Sequence, residues 1–148
     1  MNLIDALLGE HAVLYAEIRY LEAALSDMQS IDDIQASIAV FAAGVQSHSN
    51  LEDTLLFVSL ERQLGAENGV VQSMRRMHAD IEAAFERLPG ATEPDVARET
   101  AAGAVALARE HFSAEEEVCF PLAEDTLSEQ QLARLGGAWA ERRGIGDV

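Results

Sequence analysis

Apolar residues recur at intervals of three and four through four long stretches of this chain, a spacing that fits helices and excludes strands. The first stretch carries Leu3, Leu7, Leu14, Ile18, Leu21 and Leu25. The second carries Ile34, Ile38, Phe41, Val45 and Leu55, and the third Val71, Met74, Ile81, Phe85 and Leu88. The fourth opens with Thr92 and Asp95 around Pro94 and runs to Pro121 or slightly past it, with Leu107 and Val118 on its stripe. Punctuation agrees with this division. Asn2 and Asp5 can cap a first helix from about Leu3 to about Ser26, and a second begins near Ile31 and stops at Gly65. A third follows Gly69 and ends at Pro89-Gly90, where proline removes a donor and glycine permits positive φ. Ser128 and Gln131 form a capping box for a short fifth helix bearing Leu132, Leu135 and Trp139.

Four amphipathic segments with short connections predict an all-α fold, an antiparallel up-down-up-down four-helix bundle. At 148 residues one domain is expected, with the bundle over about 3–126 and the short C-terminal helix over about 129–143. A formal charge of −16 disfavours nucleic acid and anionic lipid, both of which need a basic footprint. No apolar run approaches the roughly 20 residues that span a bilayer, and Met1-Asn2-Leu3-Ile4-Asp5 lacks a basic leader. A cytoplasmic protein is expected, in agreement with a single cysteine, Cys119, that has no disulfide partner within the chain.

The stripes are broken by ionisable residues. All four histidines interrupt them: His11 between Leu7 and Leu14, His48 between Val45 and Leu55, His78 between Met74 and Ile81, His111 between Leu107 and Val118. Glu52 and Glu115 follow His48 and His111 by four residues, which puts each glutamate on its histidine's face. At a rise of about 1.5 Å per residue, antiparallel packing can bring all six to within about one or two turns of a common level. A buried carboxylate costs several kcal/mol unless paired, and neither glutamate has a Lys or Arg on its own stripe. Cations between them would discharge both, and four imidazoles with two carboxylates suit iron, manganese or zinc.

His11, the run His48-Ser-Asn-Leu-Glu52, His78, and the run His111-Phe-Ser-Ala-Glu115-Glu-Glu-Val-Cys-Phe-Pro121 together resemble the hemerythrin-like HHE domain, from Leu3 to about Trp139. The resemblance implies two iron ions joined by an oxo or hydroxo bridge. It places His11 and His48 on one ion and His78 and His111 on the other, with Glu52 and Glu115 bridging. The chain departs from the blood-pigment hemerythrins at two points. Glu82 stands one turn after His78 where they have a second histidine, and Glu115 stands where they have an aspartate. Each ion is then left about five-coordinate, with a position open to ligand. Glu82 either fills one such position or is solvated.

Tyr15, one turn after His11, either hydrogen-bonds a bound species from a second shell or packs as a core tyrosine. Cys119 reads as a small core residue, and Gly44 as a packing position in preference to the wall of an access path. The expected ligand is O2 or another small oxidant, peroxide or nitric oxide, bound for sensing, scavenging or transport. The alternative is a redox enzyme that reduces peroxide or nitric oxide or oxidises iron, its redox partner left open.

Overall fold

The computed structural model describes residues 1–146. Seven α-helices form four antiparallel rods and one appendage: α1 (Leu3–Ala24), α2 (Ile31–Leu51), α3 (Val58–Leu64), α4 (Gly69–Arg87), α5 (Pro94–Ala114), α6 (Phe120–Thr126) and α7 (Glu129–Arg142). The second rod is α2 joined to α3 through a π-helical segment, Glu52–Phe57. The fourth is α5 joined to α6 through another, Glu115–Cys119. Among the described residues there is no strand, and no helix is long and apolar enough to cross a membrane.

Capping accounts for the starts. Asn2 accepts from the Asp5 amide while Asp5 accepts from the Asn2 amide, and Ser128 and Gln131 form the same reciprocal box on α7. Ser30 caps α2. Asn68 caps α4 through the Val70 and Val71 amides, a role the sequence reading did not assign. Helix α5 opens at Pro94 as expected, behind an N-cap residue, Glu93, that makes no side-chain bond. Gly90 departs from expectation: Leu88–Gly90 closes as a 3-10 turn with negative φ, and the positive φ of the connections falls at Gly65, at 90°.

Stripe residues pack into two apolar bodies at opposite ends of the bundle. One gathers Leu3, Leu7, Leu56, Phe57, Leu60 and Phe120, and the other Leu14, Ile18, Ile34, Phe41, Val105 and Phe112. Alanines 97, 101, 104 and 108 form the inward face of α5 and let its neighbours come close. Val118 is turned outward at 49% exposure, because the π segment re-phases the fourth rod and buries Cys119 and Phe120 instead. Gly44 is not required for packing: an added Cβ would meet Leu14 Cδ2 at 3.5 Å, ordinary contact. Helix α7 packs along α1 and buries Leu132 and Trp139 in the first apolar body. It comes so near that a Cβ on Gly136 would lie 2.8 Å from the Met1 carbonyl oxygen.

Candidate metal centre

Between the two apolar bodies lies a layer of ionisable side chains. His11, His48, His111, Glu52 and Glu115 are 0–1% exposed, and His78 is 9% exposed. Each rod supplies one histidine: His11 from α1, His48 near the end of α2, His78 from mid-α4 and His111 near the end of α5. Both glutamates are the first residues of the π segments. The α-helical spacing of four ahead of each segment sets the glutamate beneath its histidine, and the wider turn that follows lets the rod beyond turn a fresh apolar face to the core.

The carboxylate oxygens divide between two histidine pairs. Glu52 Oε1 lies 3.0 Å from His48 Nε2 and 4.0 Å from His11 Nε2, and its Oε2 lies 3.3 Å from His78 Nε2 and 4.0 Å from His111 Nε2. Glu115 Oε2 lies 3.2 Å from His11 Nε2, and its Oε1 lies 3.1 Å from His111 Nε2 and 3.9 Å from His78 Nε2. Two four-donor sets result, His11/His48/Glu52/Glu115 and His78/His111/Glu52/Glu115, each with all donor atoms within 4.8 Å of one another. Ligands about 2.0–2.2 Å from a shared ion stand roughly 3.0–3.5 Å apart, so the closest spacings already match coordination.

The chemistry of the donors fits a cation as well. Both oxygens of Glu52, both of Glu115, and the Nε2 atoms of His78 and His111 are buried without a hydrogen-bond partner. Such orphaned polar atoms are costly, and a shared cation satisfies them together.

With no metal, protons take the place of cations. Burial opposes charge on His48, but Glu52 and Glu10 overcome it and raise its pKa to about 10. Burial is likewise overcome at His78, which Asp53 and Glu52 raise to about 9. Glu52 is held well below the usual carboxylate range by His48 and His78, against its burial. Burial and the charge on Glu52 push Glu115 up to about 8, and burial with the nearby charged imidazoles takes His111 down to about 3. Binding cations here therefore releases protons, chiefly from His48, His78 and Glu115.

Three outer carboxylates hold the Nδ1 sides of the rings. Glu10 accepts from His48 at 2.7 Å, Glu116 from His11 at 2.8 Å, and Asp53 from His78 at 3.2 Å. With the Nδ1 proton held outward, the Nε2 of each ring is the atom turned to the layer, a ligand once its own proton has left. None of the three was singled out in the sequence, although each adjoins a residue that was: Glu10 precedes His11, Asp53 follows Glu52 and Glu116 follows Glu115. Sequence neighbours on a helix point about 100° apart, so each serves a histidine on the next rod. His111 is the exception, its Nδ1 buried without a partner.

The remaining sequence candidates lie outside the donor sets. Glu82 is exposed, on the wall of a groove of about 460 Å³ between α2 and α4 that His78 also lines. Tyr15 is half-buried, edge-on to His11 with ring centres 6.2 Å apart, and has the Arg109 guanidinium 5.7 Å from its ring centre. Its hydroxyl makes no hydrogen bond among the described residues, which fits a packing role. Cys119 is fully buried, and burial raises its thiol pKa.

Comparison with curated proteins and with solved structures gave no match. A family model described as the hemerythrin HHE cation binding domain matches residues 2–123, a span that contains all four rods except the last residues of α6 and every donor of the buried layer. A match of that extent, on a bundle with an inward histidine from each rod, identifies the lineage: the chain belongs to the hemerythrin HHE cation-binding domain family.

Proposed function

We propose that this chain holds two iron ions, joined by an oxo or hydroxo bridge, on His11, His48, Glu52, His78, His111 and Glu115. It uses them to bind O2 or another small oxidant, peroxide or nitric oxide, for sensing, scavenging or transport. The observation that carries the reading is the division of carboxylate oxygens, each glutamate turning one oxygen to the His11/His48 pair and the other to the His78/His111 pair. Imidazole with carboxylate suits iron, as it suits manganese or zinc, and the family is described as cation-binding. When bound, such a pair supplies redox-active Lewis-acid positions for a small ligand.

The chain's own residues do the selecting. His11 is walled off by the rings of Phe112 and Phe120, 4.6 and 5.3 Å away between centres. His78 alone among the histidines exceeds 1% exposure, and it borders the α2–α4 groove, which gives a small ligand its way in. Asp53, Glu82 and Glu86 on that groove disfavour anions and leave neutral molecules unhindered.

The deciding experiment is the visible spectrum of anaerobic, iron(II)-loaded protein during exposure to O2 and then degassing. A charge-transfer band that appears and fades on degassing is the expected result. Irreversible conversion to the iron(III) form would replace it with the redox-enzyme reading, and failure to retain iron would refute both.

A further inference from the structure

Helix α7 lies beyond the segment that matches the family, residues 2–123, yet it reaches the buried layer. Trp139 Nε1 donates to Glu10 Oε1 at 2.7 Å. Arg143, at the end of α7, donates to the same carboxylate twice, through Nε to Oε1 at 2.6 Å and through Nη2 to Oε2 at 2.9 Å. The second oxygen also takes the His48 Nδ1 proton at 2.7 Å. Both oxygens of Glu10 are thus committed: three of its four donors come from the C-terminal end of the chain, and the fourth is His48 itself. The indole N–H and the guanidinium fork fix the plane of the carboxylate, and that plane fixes the His48 ring. Across the layer the backing is thinner, a single Arg75 donor on the one Asp53 oxygen that also holds His78. Asp53 holds His78 at a longer 3.2 Å and is shared with Arg75, and His111 Nδ1 has no partner.

We infer that α7 is a latch on one half of the metal centre: Trp139 and Arg143 are positioning residues that act through Glu10 on His48 and set how tightly the His11/His48 half retains its ion. The inference rests on the metal-binding reading above. It makes the two halves unequal, with the latched one the stronger, and it ties metal retention to the docking of a helix beyond the segment that matches the family model. Any event that lifts α7 from α1 loosens His48 without touching a ligand.

The test is an anaerobic titration of the folded, metal-free protein with Co(II), read by its visible ligand-field bands and by calorimetry. The variants are Trp139→Phe with Arg143→Met, Glu10→Gln alone, and Arg143→Lys. Trp139→Phe keeps the ring in the core, and Glu10→Gln leaves the apolar contacts of α7 through Leu132 and Trp139 in place should the double variant fold poorly. In the double variant and in Glu10→Gln, one Co(II) equivalent weakens roughly 10- to 100-fold with an altered band shape, and the other keeps its affinity. Arg143→Lys, which retains one donor, falls between. Unchanged affinity for both equivalents would overturn the latch, as would equal weakening of both alongside a lower melting temperature, the mark of a structural role. A wild-type protein that takes up no Co(II) would instead refute the metal reading on which the latch depends.

Discussion

Replacing Glu115 by glutamine separates the carboxylate's part in folding from its part in holding cations. In the metal-free protein Glu115 sits fully buried beside ionised Glu52, and its pKa near 8 leaves it protonated at pH 7. An amide is close in size to that neutral acid, so the metal-free variant should stay within about 1 kcal/mol of the parent, a few degrees in Tm for a chain of this length. With metal the outcome changes. At free metal 1,000 times Kd, each ion stabilises the native state by about 4 kcal/mol, or about 8 kcal/mol for two, which raises Tm by roughly 16–30 °C. Removing an outer-shell partner costs up to about 100-fold in affinity, and removing a donor shared by both sets should cost at least that. At the same free metal each ion then contributes only about 1.4 kcal/mol, and the rise shrinks to roughly 6–11 °C. Differential scanning calorimetry of both proteins, with and without Fe(II) or Co(II) under argon, measures the four quantities. An undiminished rise in Glu115→Gln would refute the bridging role. A large fall in the metal-free Tm would show instead that Glu115 is ionised and paired in the native state, against the electrostatic argument.

Metal uptake should release protons, because His48, His78 and Glu115 carry them at neutral pH when no cation is present. Affinity should therefore strengthen as pH rises from 6 to 8, and calorimetry in buffers of different ionisation enthalpy should count the protons released. Burial opposes ionisation of Glu10, but His48, Arg143 and Trp139 outweigh it and depress its pKa from 4.5 to about 2. Its stabilising contribution is present above about pH 4.5 and is lost as the pH falls toward 2, so Glu10→Gln should flatten the acid limb of a urea-midpoint-versus-pH curve. Asp53→Asn leaves His78 Nδ1 only a neutral acceptor in place of a carboxylate and should weaken the other metal equivalent, roughly 10-fold by Co(II) titration. Gly136→Ala forces a Cβ against the Met1 carbonyl and should cost about 1–3 kcal/mol in chemical denaturation. Gly103→Ala, on an exposed helical site with open space around it, should stabilise by about 0.5–1 kcal/mol.

The burial of the six ionisable residues was legible in the sequence because each replaces an apolar residue on a stripe, and a stripe position is a statement about the interior. The helix count was legible for the same reason, as were the capping boxes at Asn2 and Ser128, whose chemistry is local. The π segments were not. A π turn leaves no signature in composition, so Val118 was assigned inward on an unbroken 3.6-residue period and lies outward. Glu10, Asp53 and Glu116 escaped for a geometric reason: on their own helices they occupy flanking faces, and they gain meaning only from the histidine of a neighbouring rod. Trp139 was legible as an apolar residue of the last helix beside Leu132 and Leu135. It packs in the core, and its indole N–H has a second role that only tertiary packing reveals.

The division of the interior into two apolar bodies by an ionisable layer bears on the chain as a polymer. Ions held in that layer would tie together points as far apart in sequence as His11 and Glu115, with His48, Glu52 and His78 between them. Such a knot closes several long loops at once, and loop closure is an entropic cost that the denatured chain bears when it keeps the tie and the native chain escapes. The bundle also carries a formal charge of −16, whose self-repulsion favours expansion and which bound cations offset at its centre. A loaded protein should thus resist unfolding as a cross-linked chain does. An unloaded one should open first at the layer, where amide hydrogens near the two π segments would exchange well before those of either apolar end.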